Sequence, residues 1–156
     1  MKILPAYLYP TISALVAMSS EPVAGVQNTG FTGSCAYPGL NFSRGHLLGL
    51  FCLNTDTSVY GYNYTCMDLD QCVGNNDGVL VGYNKGNFSS SCTDCTVSLT
   101  QPVSLSCACA SLKGVTARTR VQLDTFVFNN NGALDCYGNL GVQSWEGPCV
   151  PSSSSH

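Results

Sequence analysis

Phe31-Thr-Gly-Ser-Cys35 returns as Phe88-Ser-Ser-Ser-Cys92, 57 residues further on, and that recurrence decides the fold. Leu48-Gly-Leu-Phe-Cys52 returns as Leu105-Ser-Cys-Ala-Cys109 at the same offset of 57. Leu69-Asp70 with Asp77-Gly78 returns as Leu123-Asp124 with Asn131-Gly132, now at 54. The first copy therefore carries three extra residues between Cys52 and Leu69, around the tyrosine-rich stretch Val59–Tyr64. Landmarks in one order at near-constant offset mark an internal repeat. The copies run over roughly 31–83 and 88–137, within a domain at 28–138 that is followed by a Cys-anchored, Ser-rich tail at 139–156.

Each copy reads as strands. Across Thr116–Asp124, Ala117, Thr119, Val121 and Leu123 alternate with Thr116, Arg118, Arg120 and Gln122, a period of two. Both arginines fall on the polar face, as a half-solvated antiparallel strand requires. Asn75-Asn-Asp-Gly78 and Asn129-Asn-Asn-Gly132 tolerate positive φ and read as tight turns feeding Val79–Val81 and Ala133–Leu134. No mature window shows a helical period, and only Asp68–Cys72 suggests a helical turn. The expected class is all-β.

Ten cysteines among 156 residues point to an oxidising compartment and a disulfide-stapled secreted fold. Lys2 and the apolar run Ile3–Met18 form a signal peptide at 1–19, with cleavage after Ser19 as first choice and Gly25 as runner-up. That run, broken by Pro5 and Pro10, is too short for a span of ~20 residues, so no membrane span is expected. The sequons at Asn41, Asn63 and Asn87 are candidate N-glycosylation sites. A net charge of -3 offers no basic footprint for nucleic acid.

Phe-x-x-x-Cys, Leu-x-x-x-Cys and Leu-Asp with an Asn-x-Asp/Asn-Gly turn, each met twice, resemble the cyanovirin-N homologue family over about 31–137. The resemblance implies a pseudo-symmetric two-repeat fold in which the repeats exchange strands, and a lectin with a mannose-glycan site near each end. It also implies that Cys35–Cys52 and Cys92–Cys109 each staple one repeat. Cys95 and Cys107 lie inside the latter pair, where a second rung fits. Cys66 and Cys72 could close a small local loop, leaving Cys136 and Cys149 to fasten the tail near Trp145; pairing of Cys66 or Cys72 with Cys136 is the alternative.

Matching the family's sites residue by residue implies one pocket of Asn75, Asp77, Asn87, Ser90 and Ser91. A second would use Ser34, Thr55, Asn129 and Asn131. Several of the family's charged and amide positions are lost here, falling on Gly74, Ser90, Ala110, Leu112, Gly114, Gly33, Leu53 and Asn131. Only the Asp77 pocket is then expected to keep a carboxylate at its turn. The same asparagines are also what a tight turn wants. Tyr60, Tyr62 and Tyr64 offer either a stacking platform or cross-strand packing.

Other chemistry is disfavoured. Cys92-x-x-Cys95 with Cys107-x-Cys109 superficially offers four zinc thiolates, but a secreted chain oxidises them. Asp68-Leu-Asp70 begins like a calcium loop and then fails, with Val73 where the loop glycine belongs. With two histidines and no nucleophile elbow, no enzyme, metal or cofactor is expected. The expected function is a secreted carbohydrate-binding protein for mannose-containing oligosaccharides or glycoproteins. The alternative is a non-binding, disulfide-rich structural or interaction domain. The linker Gly82–Gly86, with two glycines and no proline, favours a monomer over a domain-swapped dimer.

Overall fold

A computed structural model describes residues 30–56, 61–144 and 149. The stretch expected to be a signal peptide, Tyr60 and Trp145 lie outside them. The elements are β1 (Asn41–Ser43), β2 (Leu47–Leu53), β3 (Tyr62–Asp68), β4 (Val73–Asn76), β5 (Val79–Gly82) and β6 (Cys92–Val97), then β7 (Ser104–Ala110), β8 (Thr116–Gln122), β9 (Phe128–Asn130), β10 (Ala133–Cys136), β11 (Asn139–Leu140) and β12 (Val142–Ser144). Short 3-10 turns at Phe31–Gly33, Leu69–Gln71, Phe88–Ser90 and Leu123–Thr125 punctuate them. All pairings are antiparallel: a β1-β2-β3-β12 sheet, a β6-β7-β8 sheet, the β4-β5 hairpin and a β9-β10-β11 sheet.

The internal symmetry holds to the residue. Shifting β2 by 57 gives β7, and shifting β3 and β5 by 54 gives β8 and β10. The turns at Phe31 and Leu69 map likewise onto those at Phe88 and Leu123. The alternating stretch ends as a strand at Gln122, because Leu123 turns into the core and starts a 3-10 turn instead of continuing. The same event occurs at Leu69, inside the helical turn expected there.

Each opening segment belongs to the opposite half. The Phe31 N–H donates to the Val127 carbonyl, and Thr32 N–H to the Asp124 carboxylate. Symmetrically, the Asn87 N–H donates to the Asp70 carbonyl, and Ser89 N–H to the Asp70 carboxylate. Phe31 and Phe88, both fully buried, anchor these exchanged segments in one core with Leu48, Leu105, Leu69, Leu123 and Leu134. Burial of each phenylalanine contributes roughly 1.5–3 kcal/mol.

Five disulfides lace this core, and no described cysteine is free. Cys35–Cys52 and Cys92–Cys109 are pseudo-equivalent, each with Cα atoms 4.0 Å apart, and Cys95–Cys107 adds the second rung. The local Cys66–Cys72 loop and the Cys136–Cys149 tail clasp are not formed. Instead Cys72 pairs with Cys136 and Cys66 with Cys149. Burial explains the choice. Cys66 lies half-exposed on β3 and meets the tail, whereas the turn after it delivers Cys72 fully buried against Met67 and the end of β10. At the position related by symmetry, Phe126 closes over Gly82, leaving no room for a β-carbon there.

Candidate functional site

The two hairpin tips are built alike. In the first, Asp77 and Gly78 have φ of 50° and 87°, so both central residues are left-handed and the two-residue loop is a type I′ turn. Asn131 and Gly132 repeat it at 50° and 88°. One residue before each turn stands an asparagine whose Oδ1 accepts the glycine N–H: Gly78 to Asn75 and Gly132 to Asn129, both at 2.8 Å.

Those asparagines also reach across the symmetry. Asn75 Nδ2 donates to Ser91 Oγ at 2.9 Å and to the Ala110 carbonyl at 2.8 Å. Asn129 Nδ2 donates to Ser34 Oγ and to the Leu53 carbonyl, both at 2.9 Å. Both donors of each amide are thus spent on joining the halves. Each tip is a composite, with its hairpin from one half and its wall from the other.

The turn residues then diverge. Asp77 accepts the Leu112 N–H on Oδ1 at 2.7 Å, and its Oδ2 has no protein partner among the described residues. Asn131 accepts from the Thr55 N–H and hydroxyl, at 2.9 and 3.0 Å, and its amide donates to the Asp56 carboxylate. Asp56 adds to the second network a carboxylate from outside the turn, which the comparison of the two turn residues did not include. It escaped sequence matching because the family's acid was sought directly after Cys52. Here it stands four residues on, where the first copy's longer loop begins, and reaches the turn from there.

The proposed residues of each pocket are brought together. Asn75, Asp77 and Ser91 share one network, and the Asn87 backbone bridges Gly74 while its carbonyl accepts from the Ser90 hydroxyl. Beside them Gly74, Asn75, Asn76, Val81, Tyr83 and Gly86 line an open cleft of about 410 Å³. Ser34, Thr55, Asn129 and Asn131 share the other network, flanked by a cleft of about 430 Å³ against Leu140 and Gln143. The backbone groups of Ala110, Leu112 and Leu53 escaped residue matching, because main-chain donors and acceptors leave no signature in side-chain identity. Tyr62 is exposed, whereas Tyr64 is buried as the edge-on cross-strand partner of Phe51 at 5.0 Å. Burial raises the Tyr64 hydroxyl pKa.

Metal chemistry finds little purchase. The four clustered thiols are disulfides. His46, Asp68 and Asp70 do offer ligand atoms within 4.8 Å of one another. Yet Asp70 is committed to the Ser89 N–H and hydroxyl, and Asp68 to the Asp70 N–H.

A family model described as the CVNH domain matches residues 31–135. Among solved structures, GzCVNH of Gibberella zeae is similar at 24% identity and TM-score 0.60, covering 70% of this chain and 98% of its own. TbCVNH of T. borchii matches at 27% and 0.55, covering 69% and 98%. Microvirin, solved as a mannobiose complex, matches at 26% and 0.57, covering 69% and 97%. A search of curated proteins finds no match.

Proposed function

The chain belongs to the CVNH domain family, and from that premise we propose that it is a secreted carbohydrate-binding protein for mannose-containing glycans, bound at its two hairpin tips. One observation carries the reading: at the first tip one carboxylate oxygen of Asp77 has no protein partner among the described residues, at the turn whose Asn75 joins Ser91 across the halves. Sugar recognition uses such preplaced polar groups in an open cleft. A carboxylate can accept from two hydroxyls, and charge-assisted bonds are the strong ones. The mannobiose complex of microvirin supports the sugar class. Secretion is supported by the five disulfides and the apolar leader. No helix among the described residues is long and apolar enough to cross a membrane.

The non-binding alternative has an observation of its own at the second tip, where Asn131 Oδ1 accepts twice from Thr55 and its amide donates to Asp56, tying the turn side chain into the protein. A glycan array probed with mature protein made without N-glycans separates the two. Binding to mannose-terminated glycans that mannobiose competes away supports the lectin. Silence across the array supports the scaffold.

A further inference from the structure

The second half carries an exposed, cation-bearing face that its twin lacks. On β8, Arg118, Arg120 and Gln122 point away from the core; β7 contributes Ser104 and Ser106, and β6 and its end contribute Thr96 and Ser98. The register sets them in rows, Thr96–Ser106–Arg120 across all three strands, with Ser104 opposite Gln122 beside it. A cleft of about 330 Å³ lined by Thr96, Ser98, Ser104, Ser106 and both arginines adjoins one of about 320 Å³ toward Thr100, Gln101 and Gln122.

Neither arginine has an ion-pair partner among the described residues, and the Arg120 side chain makes no hydrogen bond there. Arg118 makes only a long contact, 3.4 Å, to the Asp94 carbonyl. No residue lining either cleft is acidic. The half-solvated strand alone explains polarity on this face, but not two unpaired guanidinium groups over a hydroxyl-lined cleft in a chain of net charge -3.

The twin face is an internal control. There Tyr64, Cys66 and Gly49 occupy the positions of Arg118, Arg120 and Ser106. The Tyr64 hydroxyl and the Cys149 sulfur lie 2.3 and 2.7 Å from where a Gly49 β-carbon would stand. So, among the described residues, Tyr64 and Cys149 cover one face at Gly49 and nothing covers the other.

We propose that the open face binds the anionic group of an acidic saccharide, a sulfate ester or a uronate carboxylate. Guanidinium forks grip such oxyanions in bidentate fashion, and the Thr96 and Ser106 hydroxyls, which no described residue engages, suit the ring's own; those of Ser98 and Ser104 are bonded within the loop that follows β6. Two cations in a net acidic chain are too few to hold a nucleic-acid backbone. This site is separate from the hairpin tips and stands whether or not they bind mannose.

The test is an NMR titration of the mature, disulfide-bonded protein made without N-glycans. Probes are a sulfated tetrasaccharide, a uronate tetrasaccharide, the desulfated neutral tetrasaccharide and inorganic sulfate. The expected result is that at least one acidic tetrasaccharide shifts the amides of Ser98, Ser104, Ser106, Arg118 and Arg120. Binding should weaken as salt rises from about 50 to about 500 mM, and the neutral sugar should leave these amides unmoved. Replacing both arginines, Arg118→Ser with Arg120→Ser, should weaken binding about tenfold or more. The same charge kept as Arg118→Lys with Arg120→Lys should fall between. Unchanged affinity in the serine variant overturns the proposal. So do equal shifts from inorganic sulfate, which mark a mere anion site, or shifts confined to the Asn75 and Asn131 turns. Because the wild-type shift map is itself decisive, a serine variant that fails to fold leaves the test intact.

Discussion

The two hairpin tips differ in the side chain that stands at the turn, Asp77 in one and Asn131 in the other. Asp77 Oδ2 has no protein partner among the described residues, whereas Asn131 is bonded to Thr55 and Asp56. Asp77→Ala should weaken binding of a mannose oligosaccharide by roughly 10- to 150-fold, the equivalent of 1.5–3 kcal/mol for a charged hydrogen bond. Asn131→Ala should cost less. Calorimetry on both variants decides it, and a larger loss at Asn131 would place the principal site at the other end. The three sequons differ just as locally. Asn41 and Asn87 are exposed, but the Asn63 amide nitrogen would lie 3.0 Å from a β-carbon on Gly132, crowded against the second turn. Peptide mapping of protein from a eukaryotic host should find Asn63 the least occupied of the three.

At the scale of the element, the two type I′ turns ask the same of their glycines and give them different room. A β-carbon at Gly78 would come within 3.3 Å of Ser111 Cβ, and one at Gly132 within 2.7 Å of Asn54 Cβ. Gly78→Ala should therefore destabilise by about 1–2 kcal/mol from its left-handed backbone alone, and Gly132→Ala by more, read as a larger drop in urea midpoint. These elements were legible in the sequence because period two, paired Asn-Gly signals and the repeat agree with one another. Much of the site was not. Asp56 lies in the one stretch where the copies differ in length, so no internal alignment could place it against Asn131. Cys66 and Cys72 are neighbours in sequence, and only the burial imposed by the intervening turn sends them to different partners. The linker is pinned more firmly than its glycines suggested: Tyr83, Lys85 and Asn87 donate in turn to the carbonyls of Cys72, Gln71 and Asp70. A β-carbon at Gly86 would stand 2.4 Å from the Val73 carbonyl oxygen. Sizing chromatography should show the wild type as a monomer, and Gly86→Val shifted toward a strand-swapped dimer or destabilised.

Across the whole molecule, the covalent cross-links differ in reach. Cys95–Cys107 spans 12 residues, whereas Cys72–Cys136 spans 64 and Cys66–Cys149 spans 83. In the chain-entropy account the short loop contributes about 3 kcal/mol and the long ones about 4–5 kcal/mol each. Removing Cys72–Cys136 as a double alanine variant should accordingly lower stability more than removing Cys95–Cys107, with the buried cavity adding to the difference. Both long bridges join a residue before the linker to one after it. A protease that severs the chain between Tyr83 and Gly86 thus cuts no particle in two. The nicked protein should run as one band until a reductant is added and as two afterwards. Since each tip borrows its wall from the other half, both would outlast the cut.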